Sequence, residues 1–335
     1  MSGGSFRETT MAHYAGVDLG ATNIRAAVAD GEAEILAVAR RETPQGPTGI
    51  DVTEAVLRAL RAACEEATVE PHSIAAAGIG SFGPFDLAAG TIENPANLPD
   101  TVETIPLTGP VEKLIDSEKV YLHNDTIAGV IGERFHSDRN PDDMVYLTIS
   151  SGIGAGVCVD GNVLSGWDGN AGEVGHMTID PEGLRTCGCG HDGHWEAYCS
   201  GNNIPKYARL LYRDAQGMDT TLPIADPDFS AVDVFEYAAE DDFARYVVEQ
   251  VGHWNAMGVA NIVHAYAPLV VYVGGAVAIN NPELTLDPIR EKLEEMVFVN
   301  IPQIELTTLG DDVVLHGAIA SAMTGGTGDR ARMRS

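Results

Sequence analysis

The chain has 335 residues, 44% of them hydrophobic, which suffices for a large core and, at this length, suggests two lobes. Aspartate and glutamate total 49 against 20 lysines and arginines, and the resulting net charge of −29 argues against nucleic acid as a partner. No stretch approaches the roughly 20 consecutive apolar residues of a membrane helix, and residues 1–11, which we expect to be a disordered extension, do not resemble a signal peptide. We therefore expect a cytoplasmic protein without a membrane partner.

After residue 11, the chain is predicted to begin with two strands that are joined by a glycine turn. Apolar residues flank the turn at 18–23, and Ile24, Ala26 and Val28 alternate as in a half-buried strand. The next predicted elements are a strand at 35–40, a helix at 48–67, a strand at 74–81, a strand at 120–122 and a helix from 124 to 133.

A second strand, glycine turn and strand are predicted further along the chain. Apolar residues at 144–149 precede the turn at 150–156, and alternating valines follow it. The later predicted elements are a helix near 241–266, a strand at 269–273 and a helix at 312–323. Because a similar order of strands and helices occurs twice, the sequence predicts two α/β lobes around a cleft. We expect a small lobe at 12–123 plus 312–328 and a large lobe at 124–311.

Both glycine turns are candidate phosphate-binding loops. A hairpin follows the second turn, whereas a dinucleotide-binding loop needs a helix there, and no Gly-Lys-Ser/Thr indicates a P-loop. Glycines let successive backbone N–H groups approach an anion closely. A plain β-turn would explain either loop alone, but two such hairpins favour one phosphate loop from each lobe.

These motifs resemble those of the ROK family of repressors and sugar kinases, which is part of the actin-like ATPase superfamily. The resemblance is carried by 18–23, by Asn124-Asp125, and by 149–176, where Gly-x-Gly-x-Gly is followed by Gly166 and Gly175-His176. It covers the chain from Tyr14 to the C-terminal helix. It implies a two-lobed, ribonuclease H-like α/β fold with a ligand cleft between the lobes.

The resemblance also implies a function, namely ATP-dependent phosphorylation of glucose at its 6-hydroxyl. Fructose, mannose and N-acetylmannosamine are alternative substrates. A non-catalytic, sugar-responsive repressor is the alternative of another class, although the acidic charge opposes DNA binding. Family members are commonly dimers, so we expect a homodimer or homotetramer.

A stretch rich in cysteine and histidine predicts a metal site in the loop at 176–199. Zinc prefers four tetrahedral Cys and His ligands, and the candidates are His176, Cys187, Cys189 and His194. The family usually has a third cysteine where His194 stands, so His191 and Cys199 remain alternatives for the fourth ligand. Free thiols in a loop are the other interpretation. We expect a structural Zn²⁺ that fixes the loop presenting the sugar-binding groups.

Asp125 is the candidate general base, because a carboxylate directly after a strand can accept the proton of a sugar hydroxyl. Helix capping by Asn124-Asp125 would explain the same residues without catalysis, and the resemblance favours catalysis. The resemblance assigns the sugar to Asn97, Asn124, Asp125, Glu173, His176 and Glu196. The residues expected to bind ATP and Mg²⁺ are Asp18, Gly20, Thr22, Asn23, Ser151, Gly152, Gly154, Gly274 and Gly275. Asp18 would hold the water shell of the Mg²⁺ ion.

The acidic composition further predicts a halophilic protein. The cations include only four lysines, at positions 113, 119, 206 and 292. Repulsion among exposed carboxylates is strong at low ionic strength and weakens in about 1 M salt, where the Debye length is roughly 3 Å.

Overall fold

The computed structural model describes residues 12–167, 169–214 and 218–334, and the expected extension at 1–11 lies outside them. The chain divides into two units. Unit 1 contains the residues up to Ala128 and those from Val314 onward, and unit 2 is Gly129–Val313. The lobe boundaries expected from the sequence lie a few residues earlier. The backbone of Ala128 packs closely against Gly317 in the C-terminal helix, which belongs to the same unit.

Unit 1 contains a long helix, a main sheet and a small sheet. Its elements are β1 (His13–Leu19), β2 (Asn23–Ala29), β3 (Ile35–Glu42), α1 (Gly49–Ala67), β4 (Ile74–Ser81), β5 (Phe85–Asp86), β6 (Thr91–Glu93), β7 (Thr104–Pro106), α2 (Thr108–Ile115), β8 (Val120–Asn124), the start of α3 (Asp125–His136) and, after unit 2, most of α10 (Val313–Thr324).

The main sheet of unit 1 has the strand order β3-β2-β1-β4-β8. The strands β1, β2 and β3 are antiparallel neighbours, whereas β4 and β8 run parallel to β1. Helix α1 begins after Thr48, whose backbone N–H donates to the carboxylate of Asp51 (3.0 Å), and it buries one stripe of apolar residues. The helix predicted at 48–67 is thus confirmed.

Unit 2 repeats this arrangement and adds helices. After the end of α3 it contains β9 (Met144–Ile149), β10 (Ile153–Val159), β11 (Asn162–Val163), α4 (Glu196–Cys199), α5 (Ile204–Asp214), α6 (Ala231–Tyr237), α7 (Asp242–Tyr266), β12 (Val270–Gly274), α8 (Ala276–Asn280), α9 (Pro282–Met296) and β13 (Gln303–Leu306). The sheet order is β11-β10-β9-β12-β13, with β12 and β13 parallel to β9.

The two main sheets therefore share one plan, in which three antiparallel strands are followed by two parallel ones. This confirms the predicted pair of similar α/β lobes. The small sheet β5-β6-β7 and the strand β13 were not predicted from the sequence. None of the helices in the described residues combines the length and the apolar composition needed to cross a membrane.

Candidate functional site

Several predicted site residues of unit 1 lie at one edge of its main sheet. The strands β1, β4 and β8 are parallel, so their carboxyl ends meet there. Leu19 pairs with Ser81, and Ser81 pairs with Asn124. The hydroxyl of Ser81 also donates to the carbonyl oxygen of Leu19 (3.0 Å). The first glycine turn and Asn124 are therefore two strand spacings apart, or about 10 Å.

The first glycine turn joins β1 to β2 and exposes polar groups. The N–H of Gly20 donates to the carbonyl oxygen of Asn23 (2.9 Å), and the Thr43 hydroxyl donates to the carbonyl oxygen of Gly20 (2.7 Å). The side chains of Thr22 and Asn23 are exposed on this turn. These hydrogen bonds fix the backbone of the turn, while Thr22 and Asn23 stay accessible to a ligand.

Asp18 has an ion-pair partner that sequence reasoning missed. Its Oδ2 accepts from Nε (2.8 Å) and Nη2 (2.5 Å) of Arg25 on the neighbouring strand. The hairpin register, in which Leu19 faces Ile24, places Asp18 opposite Arg25, so the symmetry of the turn could have revealed the pair. The guanidinium orients the Asp18 carboxylate and offsets part of its charge.

Asn124 and Asp125 lie at the junction of β8 and α3. The Oδ1 atom of Asn124 accepts from the backbone N–H and the hydroxyl of Thr126 (both 2.9 Å), which is helix capping. Asp125 is the first residue of α3 and is exposed, and its Oδ1 accepts from the N–H of Thr126 (2.7 Å). Both residues of the pair therefore accept hydrogen bonds at the start of α3, and Asp125 is the more exposed of the two.

Two further polar residues of unit 1 are His123, which precedes Asn124 in β8, and the predicted sugar ligand Asn97. His123 lies at 2.7 Å, Nε2 to Oγ, from Ser321 of α10, and burial lowers the pKa of His123 to about 4. The imidazole next to Asn124 is therefore neutral at pH 7. Asn97 is exposed in the turn between β6 and β7, outside the main sheet.

The second glycine turn lies in unit 2, between β9 and β10. The N–H of Ser150 donates to the carbonyl oxygen of Gly152 (2.9 Å), and Ser151 is exposed. Gly274, at the end of the adjacent strand β12, pairs with Thr148. Gly275 has a φ of +84°, and a Cβ atom there would lie 2.6 Å from the carbonyl oxygen of Ile149. Gly274 and Gly275, the expected adenosine segment, therefore lie beside the strand that leads into the second glycine turn. The positive φ and the close approach to Ile149 require glycine at position 275.

The predicted metal ligands His176, Cys187, Cys189 and His194 form one cluster in unit 2. One ligand atom from each lies within 4.8 Å of all the others. The Sγ of Cys187 is 3.7 Å from Nδ1 of His176, and the Sγ of Cys189 is 3.2 Å from Nδ1 of His194. Ligands around a tetrahedral zinc ion are about 3.3 to 3.8 Å apart. Two thiols and two imidazoles gathered in one group are the ligand types that a structural zinc ion prefers.

The alternatives for the fourth ligand fit less well than His194. The ring of His191 stacks on that of His194 with centroids 5.6 Å apart, and His191 lies outside the group of four. Cys199 is fully buried, and its thiol donates to the carbonyl oxygen of Val251 (3.5 Å). The geometry therefore favours His194.

The two cysteines of the cluster differ in acidity. The backbone N–H of His191 is the main cause that lowers the pKa of Cys189 to about 6, whereas burial raises the pKa of Cys187 above its ordinary value. A thiolate is the form that binds metal. The thiol of Cys189 is therefore the more acidic of the two.

The predicted sugar ligands of unit 2 surround this cluster. Nδ1 of His176 faces Cys187, while its Nε2 lies 3.8 Å from Oε2 of Glu173. Partial burial raises the pKa of Glu173; His176 opposes this shift and Glu196 adds to it. The Oε2 atom of Glu196 accepts from the backbone N–H of Ile153 (2.9 Å), a contact that the sequence did not predict.

Comparisons with known proteins identify the family of this chain. The sequence matches the model of the ROK family over residues 14–324. It is 35% identical over 318 residues to a glucokinase of Pyrobaculum calidifontis, which covers 93% of this chain and 95% of that protein. A solved ROK hexokinase from Thermus thermophilus has a TM-score of 0.76 and 32% identity, and covers 92% of this chain and 97% of its own.

A second solved structure is that of a ROK family glucokinase from Streptomyces griseus in complex with glucose and AMPPNP. Its TM-score is 0.70 at 29% identity, with coverage of 92% of this chain and 99% of its own. The resemblance inferred from the sequence is confirmed. This chain therefore belongs to the ROK family and has its actin-like ATPase fold.

Proposed function

We propose that this chain transfers the γ-phosphoryl group of ATP to the 6-hydroxyl of glucose. The observation that carries the proposal is the similarity, over nearly the whole chain, to glucokinases and to a structure that contains glucose and AMPPNP. The family match spans both glycine turns and the pair Asn124-Asp125. The residues that we propose for the reaction therefore fall within the matched region.

Asp125 is the proposed general base. Its exposed carboxylate at the start of α3 would accept the proton of the attacking 6-hydroxyl, while Asn124 and Asn97 would bind hydroxyls of the sugar. The hydrogen bond from Thr126 fixes the orientation of the carboxylate. Phosphoryl transfer depends mainly on positioning and on charge stabilisation. In this proposal, unit 1 contributes to positioning, because it orients the base and binds the sugar whose 6-hydroxyl attacks.

Each glycine turn is a proposed phosphate-binding loop. In unit 1, Asp18, Gly20, Thr22 and Asn23 would hold phosphate oxygens and the hydrated Mg²⁺, with Asp18 kept in place by Arg25. In unit 2, Ser151, Gly152 and Gly154 would offer backbone N–H groups, and Gly274 with Gly275 would contact the adenosine. A bound Mg²⁺ supplies positive charge to the phosphates.

The cluster of His176, Cys187, Cys189 and His194 would hold a structural zinc ion. Such a closed site has no open position for a substrate. Its role would be to fix the segment that carries Glu173, His176 and Glu196, which we propose as the sugar ligands of unit 2. Zinc content measured on purified protein, with His194→Ala compared against His191→Ala, tests the ligand set.

The substitution Asp125→Asn tests the proposed base. We expect the affinities for glucose and for AMPPNP to stay near those of the unchanged protein, because the amide keeps the size and one acceptor oxygen. We expect kcat to fall by a factor of about 10² to 10⁴, since the proton then has no acceptor. Calorimetry measures the affinities, and ADP release measures turnover.

The matched control is Asp100→Asn, which removes the charge of another exposed aspartate in unit 1. Turnover of that variant should be unchanged. Undiminished turnover by Asp125→Asn would contradict the assignment of the base.

A further inference from the structure

The carboxylate of Glu196 supports the second glycine turn directly. Its Oε2 accepts from the N–H of Ile153 (2.9 Å). A Cβ atom on Gly152 would lie only 2.8 Å from the same oxygen, so the carboxylate fills the space that a side chain would occupy. Five residues after Glu196, the N–H of Gly201 donates to the carbonyl oxygen of Ser150 (2.7 Å). One short segment therefore holds the turn at two points.

The same segment is attached to the metal cluster on its other side. Glu196 follows the ligand His194 by two residues, and its Oε1 lies 3.9 Å from the Sγ of the ligand Cys187. Trp195, between them, is fully buried. Its backbone N–H donates to Met177 (3.0 Å) and its Nε1 donates to Asn255 of α7 (2.9 Å).

Helix α7 leaves Trp195 little freedom. A Cβ atom on Gly258 would lie 2.3 Å from the indole ring, so the ring packs directly on the helix backbone. Because α7 holds Trp195, the direct contact of Glu196 with the cluster is the one to Cys187, while His194 precedes Trp195 in the chain. Both Cys187 and His194 are in the metal cluster.

We propose that Glu196 is a positioning residue that couples metal occupancy to the binding of nucleotide phosphates by the turn at 150–154. The inference rests on the proposed function, in which this turn binds ATP. A bound metal fixes His194 and Cys187, and thereby the carboxylate that holds Ile153. Without the metal, the carboxylate of Glu196 no longer holds the turn in place. Nucleotide binding must then order the N–H groups of the turn, and this ordering reduces the binding free energy.

The test is the affinity for AMPPNP with Mg²⁺, measured by calorimetry on the full chain in the absence of sugar. Zinc is removed with a chelator, the chelator is dialysed away and Mg²⁺ is restored. We expect the metal-free protein to bind AMPPNP at least about fivefold more weakly than the zinc-loaded protein. Sugar contacts of Glu196 do not contribute to this measurement, because no sugar is present.

Variants of Glu196 identify the residue that transmits the effect. Zinc-loaded Glu196→Ala should bind AMPPNP about as weakly as the metal-free protein and should respond little to zinc removal. Glu196→Gln keeps an oxygen that accepts from Ile153 and should restore most of the affinity. The exposed Glu182→Ala, which removes the same charge nearby, should behave like the unchanged protein.

Zinc content is measured for each variant. The comparison of zinc-loaded Glu196→Ala with Glu196→Gln tests whether Glu196 positions the turn even if the metal-free protein unfolds. An unchanged AMPPNP affinity in zinc-loaded Glu196→Ala would overturn the inference and leave the proposed function intact. A zinc-loaded, unchanged protein that fails to bind AMPPNP would overturn the proposed function and, with it, the inference.

Discussion

Glu133 is a buried carboxylate of unit 2 that takes no part in the candidate site. It lies on α3, is 1% exposed, and accepts a hydrogen bond from the hydroxyl of Thr307. Burial raises the pKa of Glu133 to about 7; the hydrogen bond from Thr307 opposes the shift, and the charge of Glu305 adds to it. The folded protein therefore keeps a proton that the unfolded chain releases near pH 4.5.

This difference predicts a pH dependence of stability. Because the folded state binds the extra proton, the free energy of unfolding should fall as the pH rises from about 4.5 to about 7, by up to about 3 kcal/mol from this residue. Glu133→Gln, which is neutral at every pH, should remove that decrease.

Denaturant titrations of both proteins across this pH range provide the measurement, and the difference between the two profiles isolates Glu133 from the other titrating groups. The exposed Glu182→Gln serves as the control and should follow the unchanged protein. Parallel profiles for Glu133→Gln and the unchanged protein would contradict the prediction.

Some site residues could be identified from the sequence because their signal is local. The four proposed metal ligands lie within about twenty residues, and each glycine turn is continuous in the chain. Arg25 was recoverable from the hairpin symmetry around the first turn. The contact between Glu196 and Ile153 was not, because the two residues are 43 positions apart and only the tertiary fold brings them together.

At the scale of elements, the long periodic segments were predictable and the short ones were not. Helix α7 and the hairpins β1-β2 and β9-β10 repeat their apolar positions often enough to be recognised. The strands β5, β6 and β7 have only two or three residues each, which is too few for an alternating pattern. Strand β13 has four residues and directly follows Pro302. Its parallel pairing with β12 is decided by packing and not by its own composition.

The order of the strands in the sheets could also be predicted only in part from the sequence. Alternation indicates which face of a strand is buried, but it does not say that β8 lies beside β4. That adjacency brings Asn124 to the same edge as the first glycine turn. The resemblance to a known family implied only that both segments bind ligands, and the structure shows the adjacency and the register.

For the whole molecule, the net charge of −29 predicts a stability that depends on salt. Repulsion among the carboxylates destabilises the compact state, and raising KCl from about 0.1 M to about 1 M shortens the Debye length from roughly 10 Å to roughly 3 Å. We expect the unfolding temperature, followed by circular dichroism, to rise over this range. NaCl should act like KCl if screening is the cause. An unfolding temperature that is the same in dilute buffer and in 1 M salt would contradict the prediction.

The central claim is that this chain phosphorylates glucose at its 6-hydroxyl with ATP. The most direct measurement incubates the purified, zinc-loaded protein with ATP, Mg²⁺ and one hexose, and identifies the product by phosphorus NMR. Glucose, fructose, mannose and N-acetylmannosamine are compared. We predict glucose 6-phosphate formed in equal amount to ADP, with glucose turned over faster than the other three sugars. The absence of glucose-dependent ADP release, or a phosphate on another hydroxyl, would contradict the account.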